Sequence, residues 1–399
     1  MRPRQLVLAA VVVAGLAGAA WWLLDRQATG AVEEAGRLLP GFDARVEAID
    51  AIEVVGAGGQ PLVRIEKRDG TWVMPDRDGW PANQREVSRA LFRLAGARRI
   101  EPKTRNPDLH ARLGVEDVAA PGAKGAELRL AGSGDPVRLV VGNNHPSLGG
   151  SYVRVGDDPQ AWLLDEDIGP AREPTDWLDR RLVDIPMARI EEVRIAPAGA
   201  RAFRLSRVDD RFSLDGLPPT AMTDPDAGNG TAGFTDQLPF DDLTTDTGTG
   251  ATQVVDFIGV DGVSVRVAAW RDERGTWARL TATLDEAQAL AWFEQADAVA
   301  AAQAAKDAEA AEAGAGEGDP QDTADGEAAP NDAGDDAVVA ADADDTRGDA
   351  TKSPAERVAA LRARVDAWQA SFEGRQFLLP PYKAAPLMRS RNDYLAGTR

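Results

Sequence analysis

The side chains that most often carry out catalysis are scarce in this 399-residue chain. Cysteine is absent, so the sequence has no disulfide, no thiolate nucleophile and no cysteine-ligated metal. Histidine occurs twice, as His110 and His145, and the chain contains neither an H-E-x-x-H nor a G-x-S-x-G motif. We predict that both histidines lie in surface loops. The residue types favour a protein that is not an enzyme, with no catalytic, cofactor-binding or metal-binding residues.

Two short acidic stretches nevertheless have residues that could do chemistry. The sequence DPDAGNG, from Asp224, imitates the start of a calcium-binding loop, but Gly228 and Thr235 stand where two oxygen ligands are needed. The sequence DEDIG at residues 165–169 offers carboxylates for acid–base hydrolysis of a glycoside. It has no partner carboxylate cluster in the sequence, so a solvated strand end is the favoured interpretation. The stretch GAGG at residues 56–59 lacks the Lys-Ser/Thr of a phosphate-binding loop and predicts a hairpin turn.

The net charge of −20 comes mostly from one segment. Residues 297–350 contain 16 Asp and Glu against only Lys306 and Arg347. A stretch so rich in Ala, Asp, Glu and Gly cannot bury enough apolar surface to fold, so we predict a disordered, charge-repelled linker. A calcium-buffering or docking tail is the alternative. The chain shows no concentrated basic patch, so we expect no nucleic-acid partner.

An uncharged, mostly apolar stretch of 19 residues, at residues 6–24, has the length that crosses a bilayer as a helix. Arg2 and Arg4 precede it, so the positive-inside rule places the amino terminus in the cytoplasm. We expect a single-pass membrane protein with its body outside the cytoplasm; in a Gram-negative cell this is the bacterial inner (cytoplasmic) membrane, with the body in the periplasm. The alternative is a signal peptide cleaved before Trp21, but the apolar stretch is long for one.

Beyond this stretch, apolar and polar residues alternate in short runs that predict β-strands. The sequence VRIEKRDGTWVMPD at residues 63–76 has an echo in FRLSRVDDRFSLD at residues 203–215, and a looser one at residues 265–280. Such repetition predicts two sheet domains of the same architecture in tandem. Alternation turns the aromatic residues of these stretches to the same face as their apolar neighbours, so we expect them in the core; platforms for stacking a sugar are the alternative. These aromatic residues are Trp72, Phe212 and Trp277.

Two further stretches have the spacing of amphipathic helices. Asn83, followed three residues later by Glu86, predicts a helix start, and apolar residues then recur at helical spacing. Ser353 and Glu356 predict a second start. We expect the apolar face of that helix to pack, as an antiparallel pair, against a helix predicted at residues 285–313.

Together these patterns predict an α+β fold. An N-terminal transmembrane helix is followed by two tandem, repeated antiparallel-sheet domains with packed helices, plus a disordered acidic insertion. Within the second repeat, residues 217–250 lack a clear pattern, and we expect only residues 234–243 to be ordered. The predicted segments are a cytoplasmic end (1–5), the transmembrane anchor (6–24), the first α+β repeat (48–170), a connector (171–188), the second α+β repeat (189–284), a helix (285–313), the acidic insertion (314–352) and a C-terminal helix with a terminal strand and helix (353–399).

Six stretches follow one another in a characteristic order: DGTWVM, GWPANQREVSRALFRLAG, LHARLGVED, LVVGNNHPSLGGSYVRVG, DWLDRRLVDIPMARIEEVRI and RQFLLPPYKAAPL. This order resembles the bacterial membrane-anchored family called domain of unknown function 4340, from residue 48 to about residue 395. The resemblance implies one amino-terminal span and an extracytoplasmic body. Many members are encoded beside gliding-motility-type ABC transporter components, so the resemblance also implies an auxiliary subunit of such a transporter. The resemblance carries over no catalytic residues.

The residues and the resemblance lead to one expected function. We expect a single-span envelope protein that acts as a non-catalytic auxiliary or scaffolding subunit of an ABC-type membrane transport system. Its expected partners are the membrane and the permease and ATPase of an ABC transporter. The alternative is a stand-alone extracytoplasmic ligand- or cell-wall-binding module. An enzyme is less favoured, because the usual nucleophiles and bases are missing.

Overall fold

The computed structural model describes residues 36–208, 210–217, 223–314 and 352–395. The chain divides into two compact units, Met1–Arg180 and Arg181–Arg399. Each is built on an antiparallel sheet with helices, so the predicted α+β class is confirmed. The predicted anchor at residues 6–24 and residues 315–351 of the acidic insertion lie outside the described residues. Among the residues that are described, none of the helices combines the length and apolarity needed to cross a bilayer.

Within residues 36–180, the first unit is a nine-stranded antiparallel sheet with two α-helices. Its strands are β1 Ile49–Val55, β2 Pro61–Arg68, β3 Thr71–Met74, β4 Trp80–Pro81, β5 Arg99–Pro102, β6 Ala126–Gly132, β7 Val137–Asn144, β8 Ser151–Val155 and β9 Ala161–Leu164. Their spatial order is β4-β3-β2-β1-β6-β7-β8-β9-β5. The helices are α1 Gln84–Gly96 and α2 His110–Leu113. Short 3₁₀ turns occur at Asp43–Ala48, Ala57–Gly59, Pro75–Arg77, Pro107–Leu109 and Pro174–Trp177.

Local sequence explains how the first hairpins and α1 form. Asp69 and Gly70, between β2 and β3, both have positive φ angles of 48° and 81°, which suit a tight two-residue hairpin. The Asn83 side chain accepts hydrogen bonds from the N–H groups of Arg85 and Glu86, and so begins α1 as its N-cap. The helix then packs on one face of the sheet. The side chains that it buries are Val87, Leu91, Leu94 and Ala95.

The opposite face of this sheet has two parts. One end is covered by the segment that contains α2, where Val115 and Val118 pack against residues of the sheet. The rest carries a charged row, with one residue from each of β2, β1, β6 and β7 in register. The charged row is Arg64, Glu53, Arg129 and Arg138. Glu127, also on this face, is buried and accepts hydrogen bonds from Arg129 and Arg138.

The second unit is an eight-stranded antiparallel sheet, with a separate two-stranded sheet of β10 Arg181–Val183 and β14 Leu238–Pro239. The strands of the large sheet are β11 Ile190–Pro197, β12 Phe203–Val208, β13 Arg211–Leu214, β15 Asp242–Thr245, β16 Gln253–Gly259, β17 Val263–Arg271, β18 Thr276–Leu284 and β19 Arg375–Leu379. Their order is β13-β12-β11-β16-β17-β18-β19-β15. The helices are α3 Pro225–Ala232, α4 Glu286–Gly314, α5 Pro354–Phe372 and α6 Pro381–Leu387, with 3₁₀ turns at Met187–Arg189, Gly233–Thr235 and Arg391–Tyr394.

The two large sheets share one strand order. Apart from β4, which extends the edge of the first sheet only, each has a three-strand meander, continues with four strands on the other side of its first strand, and ends on a strand that follows a helix, β5 or β15. An offset of 140 residues places β3 Thr71–Met74 on β13 Arg211–Leu214, so the sequence echo falls on corresponding strands. The three aromatic residues of the echo, Trp72, Phe212 and Trp277, are buried, as alternation predicts.

A charged row recurs at the same register in the second sheet. It comes from β12, β11, β16 and β17, the strands that correspond to β2, β1, β6 and β7. Its members are Arg204, Arg194, Asp256 and Arg266. Asp256 pairs with Arg266, with 2.6 Å between Oδ1 and Nε. Each sheet therefore presents paired charges on the face opposite its main helix packing.

The helices α4 and α5 lie between β18 and β19 in the chain, where the first unit has only the short turn between β8 and β9. They run antiparallel, because Glu286 pairs with Arg362 while Asp297 pairs with Arg357. A capping box at Ser353 begins α5, as predicted. Helix α5 then packs on β18. The side chains that it buries are Arg357, Leu361, Val365 and Phe372.

The prediction that only residues 234–243 are ordered within residues 217–250 is wrong. Helix α3 precedes that stretch, and β15 continues beyond it. Asp224, considered from the sequence as a calcium ligand, instead caps α3 by accepting hydrogen bonds from the N–H groups of Asp226 and Ala227. The sequence did not predict this helix, because it contains two internal glycines, at positions 228 and 230, and glycine has low helix propensity.

Candidate functional site

The candidate functional site is a cavity of the first unit, between α1 and the sheet. Its volume is about 190 Å³. The floor is made of apolar side chains from β1, β6 and α1: Ile52, Leu128, Leu130, Leu91 and Leu94. An apolar floor of this kind favours an apolar occupant, because its surfaces gain nothing from contact with water.

The far wall of the cavity is formed by residues 168–177, which follow β9 in the chain and reach the start of α1. Trp177 is buried and donates its Nε1–H to the carbonyl of Ala171 at 3.0 Å. The carbonyl of Trp177 accepts a hydrogen bond from the N–H of Asn83 at 2.7 Å. Since Asn83 is the N-cap of α1, these bonds fix the wall relative to the helix.

The rim of the cavity is charged. Glu86 lines it and forms an ion pair with Arg89, with 2.5 Å between Oε1 and Nη1. Arg93 also lines it and donates from Nη1 to the carbonyl of Asp167 at 3.4 Å. Asp176 completes the rim. The apolar floor would contact an apolar group of an occupant, and the charged rim would contact polar groups next to it.

Asp167 holds the loop that lies next to the cavity. Its carboxylate accepts hydrogen bonds from Ser151 Oγ and Asn144 Nδ2, each at 2.8 Å, and from the N–H of Gly169 at 2.8 Å. Burial raises the pKa of Asp167, but these hydrogen bonds outweigh burial and hold the pKa below its ordinary value. The hydrogen bonds of the ionised carboxylate therefore hold this loop in place, and with it Ile168, which lines the cavity.

The neighbouring carboxylates of the DEDIG stretch have other surroundings. Asp165 Oδ1 accepts a hydrogen bond from the N–H of Arg98 at 2.8 Å. Burial, together with the charge of Asp165, raises the pKa of Glu166. Adjacent carboxylates with opposite shifts are typical of acid–base pairs. Here Asp167 is engaged by three donors of the protein itself, so the geometry gives this stretch a structural role.

This cavity lies largely within the part of the chain that matches a known family. The model of the family described as Domain of unknown function (DUF4340) matches residues 72–240. The chain carries a DUF4340 domain. The resemblance found in the sequence is therefore confirmed over residues 72–240. A search of curated proteins and a search of solved structures each gave no match.

The DUF4340 match includes α1 and the wall at residues 168–177, whereas β1, which contributes Ile52 to the floor, precedes it. Sequence reasoning missed the cavity, because its residues come from four stretches that only the folded sheet brings together. The signal that could have pointed to it is Ala90, a small side chain on the sheet side of α1, opposite the two leucines of β6.

The two histidines of the DUF4340 domain have different environments. His110 is only 5% exposed, and its Nε2–H donates to the carbonyl of Pro159 at 2.9 Å. The prediction of a surface position is therefore wrong for His110, because α2 is packed down by the segment around Pro159. His145 is partly exposed in the β7–β8 loop, where Nδ1 accepts hydrogen bonds from the N–H groups of Ser147 and Leu148. Neither histidine lines the cavity.

The remaining sequence candidates are structural features. Residues 56–59 form the turn between β1 and β2, as predicted. Asp224 caps α3, which belongs to the second unit, and it does not line the cavity. Within the described ranges, no three His, Asp or Glu side chains are grouped so that they could hold a metal ion.

Proposed function

We propose that this chain is a single-span envelope protein that serves as a non-catalytic auxiliary or scaffolding subunit of an ABC-type transport system. Residues 6–24 are its transmembrane helix, with the amino terminus in the cytoplasm and the two sheet units in the periplasm. The apolar length of this stretch and the preceding Arg2 and Arg4 support the orientation. The DUF4340 domain supports the assignment through the gene neighbourhoods of that family.

The observation that carries the proposal is the size of the cavity under α1. Pockets for small molecules usually measure about 300–1,000 Å³. A cavity of about 190 Å³ is smaller, and it suits one or two apolar side chains of a partner protein. Protein interfaces concentrate their binding energy in such desolvated pockets, each surrounded by a polar rim. The charged rim of Glu86, Arg93 and Asp176 fits that arrangement.

The second candidate is a stand-alone extracytoplasmic ligand- or cell-wall-binding module. The same cavity favours it in one respect, because the apolar floor and the buried Trp177 could enclose a small apolar ligand. The two functions differ in what copurifies with the native protein. Genes for an ABC ATPase and permease next to this one would also support the first, and a gene for a peptidoglycan enzyme the second.

The proposed function is tested by filling the cavity. Ala90 is half-buried and lines the cavity, so Ala90→Phe places a ring inside it, whereas Ala359→Phe makes the same change on the exposed side of α5. After extraction in mild detergent through a carboxyl-terminal tag, we expect wild type and Ala359→Phe to recover a polytopic permease and its ATPase. Ala90→Phe should lower the recovery more than tenfold, the loss expected from a blocked hot spot of about 2 kcal/mol.

Two outcomes would contradict this. Equal recovery with Ala90→Phe would place the contact outside the cavity. Recovery of no transporter component with the wild type, under conditions that keep other membrane complexes intact, would refute the auxiliary-subunit assignment and favour the stand-alone module.

The proposed orientation makes a separate prediction. A reporter enzyme that is active only outside the cytoplasm should work when it is fused after residue 399, because one span carries everything beyond residue 24 across the membrane. A reporter that is active only in the cytoplasm should be silent at the same position. The reverse pattern would show that the apolar stretch inserts in the opposite direction.

A further inference from the structure

The outward face of α1 combines an exposed aromatic ring with basic side chains. Phe92 is 69% exposed, on the side of the helix opposite its buried Leu91 and Leu94. Arg85 and Arg89 lie seven and three residues before it, so all three side chains project from the same side of the helix. An exposed ring can enter the boundary between headgroups and acyl chains, and neighbouring basic side chains are attracted to anionic lipid.

The chain enters the first unit directly beside the carboxyl end of this helix. The N–H of Leu38 donates to the carbonyl of Ala97 at 2.8 Å, and the N–H of Arg99 donates to the carbonyl of Gly36 at 3.0 Å. Helix α1 ends at residue 96, so the segment that leads in from the amino terminus is hydrogen-bonded to the residues that follow the helix. The proposed anchor is therefore connected to the unit at the carboxyl end of α1.

The length of the connection limits the distance to the bilayer. Eleven residues, 25–35, separate the proposed span from Gly36. Even if fully extended, a chain of that length reaches no more than about 40 Å. The carboxyl end of α1 therefore stays within reach of the headgroups, and an attractive face there acts at a high effective concentration of lipid.

The basic side chains on the outward face of α1 favour contact with an anionic lipid surface. Among the described residues, Arg85 and Arg98 form no ion pair, whereas Arg93 donates to the carbonyl of Asp167 and interacts with the charges of Glu166 and Asp167. The carboxylates of Asp165 and Asp167 accept hydrogen bonds within the protein at the carboxyl end of α1, so the positive charge of the outward face comes from Arg85 and Arg89. Ile100 is also partly exposed, at 41%, on the strand that follows the chain entry.

We propose that the outward face of α1, with Phe92, Arg85 and Arg89, rests on the anionic lipid surface of the membrane in which the chain is anchored. From the proposed function, this inference takes only the transmembrane anchor at residues 6–24; it does not depend on a transporter partner. The ring enters the interface between headgroups and acyl chains, and the guanidinium groups pair with lipid phosphates. The cavity mouth, on an adjacent side of the same helix, is then held at a fixed height above the bilayer.

The natural absence of cysteine allows a direct test with the full-length chain. An environment-sensitive fluorophore is attached to Ser88→Cys, on the outward face, or to Ala119→Cys, an exposed position in the segment that covers the opposite face of the sheet. Each protein is placed in nanodiscs of phosphatidylcholine alone or mixed with phosphatidylglycerol. The chain is purified from a host that lacks the transporter subunits, so the result is independent of the copurification test.

We expect the label at position 88 to shift its emission to the blue and to lose roughly threefold in quenching by acrylamide when phosphatidylglycerol is present, with reversal at high salt. The label at position 119 should not respond. Phe92→Ser, or Arg85→Gln with Arg89→Gln, should each abolish the response at position 88. Circular dichroism checks that these surface variants remain folded.

Three results would overturn the inference. The first is no response at position 88 in a chain that has entered the nanodisc. The second is an equal response at position 119. The third is protection of position 88 only after a permease is added, which would mean that a protein rather than lipid covers the face.

Discussion

Replacing Gly228 with alanine should destabilise the second unit by about 2 kcal/mol. A Cβ atom at this position would lie 2.0 Å from the carbonyl oxygen of Phe212, a backbone atom of β13, so α3 or the strand has to move. Such overpacking costs about 3 kcal/mol, and the better helix propensity of alanine offsets about 1 kcal/mol of it. The same movement weakens the hydrogen bond from the N–H of Phe212 to Asn229 Oδ1, now 2.9 Å.

Gly233→Ala is the matched control for this variant. It lies just after α3 and its φ is −77°. Within the described residues, no atom beyond its chain neighbours lies within 4 Å of the place that a Cβ would take. Chemical denaturation gives the free-energy change, and hydrogen exchange, read on peptides from α3 and β13, assigns it to this unit. If Gly228→Ala were as stable as Gly233→Ala, the close packing of α3 on β13 would be wrong.

Removing the charge of Glu127 should destabilise the first unit by about 1–2 kcal/mol at neutral pH. Glu127 is 3% exposed and accepts hydrogen bonds from Arg138 Nε at 2.7 Å and from Arg129 Nε at 3.2 Å. Glu127→Gln keeps the shape but loses these charge-assisted bonds. The effect stays below that of a fully buried pair, because both arginines are about half exposed.

This effect should depend on pH. Burial raises the pKa of Glu127, but the hydrogen bonds from Arg129 and Arg138 outweigh it, so the folded-state pKa lies below the ordinary 4.5. Because the folded-state pKa is depressed, the stabilisation is complete above the ordinary pKa and disappears as the pH falls through the folded-state value. The difference between wild type and Glu127→Gln should therefore narrow in acid.

Asp157→Asn is the control for the charge on Glu127. It removes a carboxylate that pairs with the same Arg138, at 3.5 Å, but Asp157 is 94% exposed, so the change should be within about 0.5 kcal/mol. Unfolding of each variant is followed across the acidic range. A Glu127→Gln loss that did not narrow in acid would show that the hydrogen-bond geometry, not the charge, stabilises this site.

The sequence predicted the features that depend on neighbouring residues. Alternation and the turn at residues 56–59 predicted the hairpin of β1 and β2, because the turn and the pleat together determine which residues pair. The caps at Asn83 and Ser353 predicted where two helices begin, since each side chain bonds to N–H groups within three residues. The repeat predicted matching strands, because it preserves the same alternation at an offset.

The features that depend on distant residues were missed. Helix α3 was missed because Gly228 is required by contact with β13 rather than by helix propensity. The burial of His110 depends on Pro159, 49 residues away. The cavity depends on Ile52, the leucines of β6 and the wall near Trp177 meeting under one helix. No local pattern in the sequence records such contacts.

The helix pair α4–α5 makes the two sheets differ in how they can fold. In the first unit, Val153 of β8 pairs with Trp162 of β9 across a short turn. The corresponding pairing in the second unit joins Trp277 to Leu378, about 100 residues later in the chain. Closing so long a loop costs more entropy and slows the search for native contacts. During synthesis, β18 therefore keeps an unpaired edge until β19 emerges, and the second sheet is completed last.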